Sequence, residues 1–447
     1  MSPHEHFSFQ SADELQTKAM GLDIDLPYQE SLSDLFEPVP VGTKKVPNRF
    51  AVHPMEGFDG TPNGAPDELT FRRYKRYAQG GSGLIWFEAT AVIPEGRSNP
   101  HQLMLNIKTL DIFKALLEET RENAMRTFGG KHEVYCVLQI THSGRFSRPS
   151  GKPEPRAACV NPLLDKDVQN VYVMKDEELM KLEEHYVNAA RLASVTGFDA
   201  VDVKACHGYL VNELLGAHTR KDSLFGATFE RRSSFLLDVI RRIRDNVPQL
   251  GMAVRMNASD HIPFPYGFGM SQDDPQMPDW TEPLALVERL IDLGCSLFNI
   301  TLGYPHHAPQ YGRPFDRPAE KDPMPVEHPL IGVDRLLKSA AKFQTHFPDV
   351  PFVSTGYSWL RHFFPCVGAA MLRRRESSFV GLGRSSLAYP DAPRDLMSKG
   401  ALDPQKTCIA CSRCSELIKA CCSTGCVIRD NEIYGPRYKK FCSHQKP

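Results

Sequence analysis

Eight short apolar runs, most of them separated by stretches with helical periodicity, constrain the fold of this chain more than any other feature. The runs are Phe50–Val52, Gly83–Phe87, Val134–Ile140, Ala200–Val203, Met252–Met256, Leu297–Thr301, Phe352–Ser354 and Phe379–Gly381. The helical stretches include Glu68–Gln79, Leu110–Phe128, Lys175–Ser194 and Phe229–Asn246. Strands that are apolar on both faces and alternate with helices are typical of a parallel sheet covered by helices. The sequence therefore predicts an α/β fold in which eight units close a (β/α)8 barrel of the TIM type.

The length of 447 residues fits one large barrel followed by a small tail, because α/β barrels use more residues than most domains. We predict a polar lead-in over residues 1–34, the barrel over 35–395 and a cysteine-rich tail over 396–447, entered through a connector at Met397–Pro404. Two long loops rich in Pro and Gly follow the third and fifth strands, at Thr141–Asn170 and Asp260–Asp279. Loops in these positions build the active face of a barrel, so they are candidate lids or substrate walls. The alternative for the distal half of each loop is that it has no functional role.

Composition and charge exclude several classes of partner. Hydrophobic residues make up 41% of the chain and charged residues 24%, which is ordinary for a soluble globular protein. With 53 Lys and Arg against 54 Asp and Glu, no overall field attracts nucleic acid or an acidic membrane. The first ten residues lack the apolar core of a secretory signal, and no stretch is long enough to span a bilayer. We expect a cytoplasmic protein with reduced thiols.

Seven of the twelve cysteines lie in the last forty residues, and four of them have the spacing C-x2-C-x2-C-x11-C. These four are Cys408, Cys411, Cys414 and Cys426. Thiolates are the preferred ligands of iron-sulfur clusters and zinc, and a tail this short needs a metal centre in order to fold. The spacing predicts a metal or cluster site, and it leaves a structural zinc ion or redox-inert thiols as alternatives.

Short motifs recur at the ends of successive predicted strands. They are Asn48-Arg49-Phe50, His53-Pro54-Met55, Gly83-Leu84-Ile85, Glu88-Ala89-Thr90-Ala91-Val92, Pro94-Glu95-Gly96-Arg97, Gln139, His142-Ser143-Gly144-Arg145, His207-Gly208-Tyr209-Leu210, Arg255 and Gly383-Arg384. In this order the motifs resemble those of the Old Yellow Enzyme family of NADH:flavin oxidoreductases, over residues 35–393. The resemblance implies a barrel that holds FMN at its C-terminal mouth.

The resemblance also implies a set of FMN-binding residues. By this resemblance Pro54, Met55 and Glu56 run beneath the isoalloxazine ring, Ala89 faces its N5/O4 edge, Gln139 bonds to the pyrimidine ring, Arg255 lies near N1 and the C2 carbonyl, and Gly356, Gly383 and Arg384 hold the phosphate. A permanently charged guanidinium suits the anion of the reduced ring, and glycines allow backbone amides to approach a phosphate. A structural ion pair is the other reading for Arg255.

For catalysis, the resemblance implies reduction of an alkene conjugated to a carbonyl, with NAD(P)H as the electron donor. Tyr209 matches the proton donor of the family, since a phenol stays protonated at neutral pH. His207 matches one donor to the carbonyl oxygen. Many relatives have a histidine where this chain has Lys204, which leaves the substrate in doubt. Lys204 could polarise a carbonyl, bind a carboxylate or phosphate, or point away from the flavin.

The tail resembles the linker of a branch of this family that includes 2,4-dienoyl-CoA reductase and trimethylamine dehydrogenase, in which cysteines bind a [4Fe-4S] cluster beside the barrel. Ligand spacing varies in that branch, so Cys421 or Cys422 could replace a member of the quartet, and Cys442 is unassigned. The branch continues into dinucleotide-binding domains, whereas this chain has no G-x-G-x-x-G after a strand. Electrons would then travel through a separate carrier protein, or the cluster would serve only to attach the tail.

Three functional hypotheses follow from these patterns. The leading one is an FMN-dependent oxidoreductase that transfers hydride from NAD(P)H to a carbonyl-conjugated double bond of a small molecule. The second is a flavin and iron-sulfur dehydrogenase or demethylase that passes electrons to a carrier. The third is a non-catalytic barrel whose zinc-bound tail docks a partner protein. The resemblance further implies homo-oligomers, which are common among barrels of this type.

Overall fold

The computed structural model describes residues 3–166, 171–320 and 322–442, and a closed eight-stranded parallel barrel forms its centre. The barrel strands β1 to β8 are Phe50–Val52, Leu84–Ala91, Tyr135–Thr141, Ala200–Val203, Gly251–Ser259, Leu297–Leu302, Phe352–Ser354 and Phe379–Leu382. Each strand pairs with the next in the chain, and β8 pairs with β1 to close the ring. The predicted (β/α)8 architecture is confirmed.

Eight helices surround the strands. The outer helices α1 to α8 are Glu68–Gly80, Leu110–Phe128, Asp176–Thr196, Phe229–Asn246, Thr281–Asp292, Pro329–His346, Phe364–Arg373 and Ala392–Lys399. Local sequence signals set their ends: Asp67 caps the start of α1 together with Thr70, and Gly197 ends α3 with φ of 102°. The boundary predicted between residues 395 and 396 falls inside α8, so the predicted connector begins as helix. The division into domains otherwise stays a prediction.

Shorter segments complete the chain. The remaining helical segments are Ala12–Gly21, Ser33–Phe36, Pro94–Gly96, Gly144–Phe146, Leu210–Leu215, Pro309–Gly312, Tyr357–Phe363, Arg384–Ala388, Arg413–Lys419 and Asn431–Phe441. Val39–Val41 and Lys44–Val46 form a hairpin, while Arg156–Ala157, in the middle of the long segment after β3, pairs with Tyr172–Val173 near its end. Residues 167–170 of that loop lie outside the described residues. Within the described part of the chain, no helix combines the length and apolarity that a membrane crossing would need.

The barrel interior is apolar at its N-terminal end and polar higher up. Trp86, Tyr135 and Phe379 pack in the lower layer with valines of the hairpin. Above them the carboxylate of Asp202 accepts hydrogen bonds from Trp86 Nε1 at 2.9 Å and Gln139 Nε2 at 2.6 Å. Burial raises the pKa of Asp202 to about 6, and its hydrogen bonds oppose the rise. The packed floor leaves the C-terminal end of the barrel as the place for a ligand.

Asp316, in the segment between β6 and α6, connects the chain's N-terminal segment to the cysteine-rich tail. Its carboxylate accepts hydrogen bonds from the backbone N–H of Phe7 at 3.2 Å, from Trp359 Nε1 at 2.6 Å and from Arg361 Nη2 at 2.7 Å. Its own backbone N–H donates to the carbonyl of Ala410, which lies between two cysteines of the predicted quartet. The lead-in and the cysteine loop are therefore fixed to the same side of the barrel.

Candidate active site

A cavity opens at the C-terminal mouth of the barrel, with about 1220 Å³ of empty space when the part open to solvent is included. Predicted site residues from five of the strands, or from the segments that follow them, line it: Pro54, Met55, Glu56, Lys204, His207, Tyr209, Arg255, Gly356, Gly383 and Arg384. Parallel strands end at one edge of a barrel, so side chains that are far apart in sequence converge there. We call this cavity the mouth.

The loop after β1, which carries Met55 and Glu56, is held from both sides at Gly57. The backbone N–H of Gly57 donates to Glu88 Oε2 on β2 at 2.6 Å, and its carbonyl accepts from the backbone N–H of Thr424 in the tail at 2.7 Å. Glu88 in turn pairs with the buried Arg73 of α1 at 2.5 Å. Burial raises the pKa of Glu88 to about 7, although Arg73 opposes the rise. The position of this loop therefore depends on the barrel and on the tail together.

The segment after β4 brings Lys204, His207 and Tyr209 into the mouth. His207 adopts φ of 65°, a left-handed conformation within the tight turn that precedes the short helix Leu210–Leu215. Burial, with the charges of Arg255 and Lys204, lowers the pKa of His207 well below its ordinary value, so its imidazole is neutral. Burial also lowers the pKa of Lys204, although the negative charge of Glu56 opposes the change.

Tyr209 is buried, and its hydroxyl donates to both carboxylate oxygens of Glu56, at 3.0 and 2.9 Å. The ammonium of Lys204 lies 3.3 Å from the centroid of the Tyr209 ring. Burial and the nearby Glu56 carboxylate together raise the pKa of Tyr209 well above its ordinary value. The phenol therefore carries its proton at neutral pH, as a proton donor must.

Arg255 is buried in the mouth, and its guanidinium has an unsatisfied donor. Its Nε lies in the interior without a hydrogen-bond partner. Among the described residues no carboxylate lies within 4 Å of the guanidinium, so the structural ion pair considered for Arg255 does not form there. Burial lowers the pKa of Arg255 from its ordinary value. A buried cation without a partner is costly, and an anionic ligand would offset that cost.

Gly356, Gly383 and Arg384 lie together at the ends of β7 and β8. Gly356 has φ of 110°, a conformation that favours glycine. Arg384 donates from Nη2 to the carbonyl of Pro314 at 2.5 Å, while its buried Nη1 has no partner. A guanidinium nitrogen without a partner, beside glycine backbone, is suited to an anion such as a phosphate.

Two predicted cofactor-binding residues, Ala89 and Gln139, are fully buried and do not line the mouth. The carbonyl of Ala89 accepts from Gln102 Nε2 at 3.0 Å. Gln139 donates to Asp202, and its Oε1 atom has no partner. The Gln139 amide thus lies one layer below the cavity, with a free acceptor atom.

Sequence reasoning missed several residues of the mouth. Arg313, Ile418 and Lys419 line it, and the carboxylate of Asp322 pairs with both Arg313 at 3.3 Å and Lys419. Phe146 stacks on His306 at a centroid distance of 4.1 Å. Arg313 lies eleven residues past β6, and Ile418 and Lys419 belong to the tail, so no strand-end motif indicates them. The apolar and basic pair at the end of the tail helix Arg413–Lys419 was the available signal.

A second cavity, between the tail and the barrel, is lined by all four members of the predicted quartet. Cys408, Cys411, Cys414 and Cys426 line it together with Arg384 and Arg429. We call it the cysteine cavity. Burial raises the pKa of Cys408 to about 11 and that of Cys426 to about 12. Cys414 and Arg384 also line the mouth, so the two cavities share a wall.

The other tail cysteines lie outside the cysteine cavity. Cys421 lies 3.9 Å from a guanidinium nitrogen of Arg148, and Cys422 and Cys442 pack beside Leu417 in a small apolar cluster. In the described part of the chain, no three His, Cys, Asp or Glu side chains are close enough to ligate a single metal ion. The quartet therefore surrounds a void and does not converge on one point.

Comparisons with known proteins agree with this geometry. Residues 34–266 match the sequence profile of the NADH:flavin oxidoreductase / NADH oxidase family. The chain is 24% identical over 386 residues to a metal reductase of Desulforamulus reducens, covering 86% of this chain and 51% of that protein. It is 26% identical over 231 residues to an NADPH dehydrogenase of Clostridium acetobutylicum, covering 51% of this chain and 65% of that protein.

A solved structure of 2-naphthoyl-CoA reductase in complex with 2-naphthoyl-CoA has a TM-score of 0.71 and 20% identity, over 89% of this chain and 57% of that chain. At this identity the likeness shows the shared fold alone. The chain thus spans between half and two thirds of the length of these relatives.

Proposed function

The chain belongs to the NADH:flavin oxidoreductase / NADH oxidase family, and from this premise we propose that it transfers hydride from NAD(P)H, by way of FMN, to a carbon-carbon double bond conjugated to a carbonyl. Family membership agrees with the flavin oxidoreductase resemblance of the sequence. The observation that carries the proposal is that two buried guanidinium nitrogens of residues lining the mouth have no protein partner. They are Nε of Arg255 and Nη1 of Arg384. Oε1 of Gln139, which lies below the mouth, has no partner either.

These atoms fit FMN. Buried polar atoms in proteins are nearly always hydrogen-bonded, so two unpartnered guanidinium nitrogens at one cavity favour a polar ligand there. Arg255 and Gln139 would hold the pyrimidine side of the ring, and Gly356, Gly383 and Arg384 the phosphate. Pro54, Met55 and Glu56 would lie beneath the ring and Ala89 at its edge. When bound, FMN would supply a hydride carrier between NAD(P)H and the substrate.

The residues after β4 have the chemistry that the reaction needs at the substrate. The neutral His207 and the ammonium of Lys204 would donate to the substrate's carbonyl oxygen and stabilise the negative charge that develops there. Tyr209 would deliver a proton to the carbon next to that carbonyl. Lys204 and Tyr209 are in contact, which favours a role for Lys204 in the mouth over one pointing away.

We also propose a [4Fe-4S] cluster in the cysteine cavity, held by Cys408, Cys411, Cys414 and Cys426. Four cysteines that line one cavity suit a cluster, and the tail resembles that of a branch whose cysteines bind one. Zinc is the alternative centre, and the metal content of the purified protein separates the two. Cys421 and Cys422 would not be ligands.

A second function is favoured by the wall that the two cavities share. Cys414 and Arg384 border both the mouth and the cysteine cavity, so a cluster in the cysteine cavity would lie beside the flavin site. Electrons taken from a substrate at the flavin could then leave through the cluster to a carrier protein. This is the dehydrogenase hypothesis. A cytoplasmic location and homo-oligomers also remain proposals that rest on the sequence alone.

The experiment that tests both proposals is the visible spectrum and metal content of the purified protein, followed by anaerobic titration. We expect flavin and iron-sulfur absorption, bleaching of the flavin by NADPH, and its recovery on addition of an enone. Bleaching by a reduced substrate without NADPH would favour the dehydrogenase. Colourless protein that contains zinc and takes up no FMN would overturn both in favour of the docking scaffold.

A further inference from the structure

Glu56 and Tyr209 form a close pair inside the mouth, although 153 positions separate them in the chain. The phenol donates to the carboxylate oxygens at 3.0 and 2.9 Å. Gln102 Nε2 and Ser98 Oγ also donate to Glu56, at 3.0 and 3.4 Å. These contacts hold the carboxylate against the group that serves as the acid in the proposed reaction.

The surroundings of Tyr209 limit how it can regain a proton. The side chain is only 4% exposed, so bulk water has little access to the phenol. Other charged or titratable groups near the pair are Lys204 over the ring, Cys206 and Arg255. Arg255 keeps its proton, burial raises the pKa of Cys206 to about 11, and Lys204 lies over the face of the ring, whereas the Glu56 carboxylate is hydrogen-bonded to the hydroxyl itself.

We propose that Glu56 relays from solvent the proton that restores Tyr209 each time Tyr209 protonates a substrate. This inference rests on the proposed function, because it assigns Tyr209 as the acid. Glu56 touches no reacting carbon and acts through Tyr209. Gln102 and Ser98 position it through hydrogen bonds to its Oε1 atom.

Each turnover adds one proton and one hydride to the substrate. The Tyr209 O–H bond breaks as a C–H bond forms beside the substrate's carbonyl, which leaves a phenolate against Glu56. An O–H bond of a solvent water breaks as Glu56 takes up a proton, and the new Glu56 O–H bond breaks as the phenol O–H forms again. The hydride, with its electron pair, comes ultimately from NAD(P)H. Glu56 ends as the carboxylate that accepts from Tyr209 in this structure, and the hydroxide left by the water is neutralised in bulk solvent.

The test compares the steady-state turnover of the holoenzyme with cyclohexenone and with ferricyanide as electron acceptors, since repeated turnover requires Tyr209 to be restored each time. Ferricyanide accepts electrons without protonation of a carbon, so the ratio of the two rates isolates the proton step. We expect Glu56→Gln to lower this ratio about 10- to 100-fold and Tyr209→Phe to lower it about 100- to 10000-fold. The double variant should be no slower than Tyr209→Phe alone, because Glu56 acts only through the phenol.

Glu56→Asp provides the matched control, since it keeps a carboxyl group in a shorter side chain. It should recover part of the ratio that Glu56→Gln loses. A ratio at the wild-type value in Glu56→Gln overturns the inference. An equal slowing of both reactions also overturns it, because that would be a structural effect on the flavin site.

A second readout does not need turnover. Removing the Glu56 charge should lower the pKa of Tyr209, which ultraviolet difference titration measures as phenolate formation, with Tyr209→Phe variants subtracted to isolate this phenol. If Tyr209 has the same pKa in Glu56→Gln as in the wild type, the pair does not exist and the inference is overturned. If the wild-type enzyme reduces no enone although Tyr209 titrates as expected, the pair stands and the proposed function fails.

Discussion

The mouth and the cysteine cavity share a wall but are built in different ways. Residues from six strand ends converge on the mouth, so each side chain contributes one contact among many. Nineteen consecutive positions, from Cys408 to Cys426, supply all four sulfurs of the cysteine cavity. Arg384 and Cys414 belong to both. We infer that the loss of one side chain in the mouth weakens ligand binding only in part. The loss of one cysteine of the quartet, by contrast, should abolish binding of a cluster in the cysteine cavity.

The largest effect is expected from a cysteine of the quartet. Cys411→Ser should abolish assembly of the cluster, because a cluster held by four thiolates loses a ligand that serine replaces poorly. Iron analysis and the iron-sulfur absorption measure this. Cys442→Ser, in the same tail but outside the cavity, is the control and should keep its iron. Equal iron in both variants would contradict the assignment of the quartet.

A large but partial effect is expected at Lys204. Replacement by Met should slow enone reduction about 100- to 1000-fold, since the developing charge on the substrate's oxygen loses a donor. Single-turnover reoxidation of the reduced enzyme by cyclohexenone measures this, with ferricyanide as the reference acceptor. Lys204→Arg keeps the charge and should recover part of the rate. A rate in Lys204→Met close to that of the wild type would mean that Lys204 does not contact the substrate.

A moderate effect is expected at Arg255. Arg255→Ala should weaken FMN binding about 10- to 100-fold, which corresponds to the loss of a hydrogen bond to a charged group. The flavin is first removed from the protein. Titration of the flavin-free protein with FMN, followed by fluorescence, then gives the dissociation constant. Arg126→Ala, at an exposed position on α2, is the control. Unchanged FMN affinity in Arg255→Ala would remove Arg255 from the cofactor site.

The smallest effect is expected where the tail meets the barrel. Asp430 accepts from Arg72 at 2.7 and 2.9 Å and from Arg76 at 2.6 Å, both on α1. Asp430→Asn should lower the free energy of unfolding by about 1–2 kcal/mol, a value kept low because both arginines are partly exposed. Urea denaturation measures it, with Asp238→Asn on the surface of α4 as the control.

The same substitution tests whether the cluster holds the tail in place. In a Cys411→Ser background the tail lacks its proposed cluster, so we expect Asp430→Asn to cost more there than in the intact protein. Equal costs in the two backgrounds would mean that the cluster does not contribute to docking of the tail.

Much of the fold was predictable because its signals are local. The predicted runs at Phe50–Val52, Ala200–Val203 and Phe352–Ser354 coincide with barrel strands, and Leu110–Phe128 and Phe229–Asn246 coincide with α2 and α4. Strands buried on both faces are mostly apolar, a pattern that the sequence displays directly even though a few polar residues such as Asp202 interrupt it. The end of the barrel was less predictable: α8 runs through the expected boundary, because its helical pattern continues past residue 395.

The structure brings most of the predicted site residues to the mouth, and it adds contacts that the sequence does not indicate. The carboxylate of Glu56, which the resemblance places beneath the flavin, accepts from Tyr209. The amide of Gln139, which the resemblance places against the ring, donates to Asp202. Side-chain orientation depends on which groups surround each residue after the barrel closes, and motif order carries no information about that.

By itself, the sequence determined that the chain forms an eightfold barrel and that four cysteines form one set, because both depend on spacing along the chain. Only the tertiary structure decided that Arg384 and Cys414 border two cavities at once, that Ile418 and Lys419 of the tail wall the mouth, and that Glu56 faces Tyr209. These relations join residues far apart in the chain. They exist because closing the barrel and docking the tail bring those residues together, at positions that no local pattern encodes.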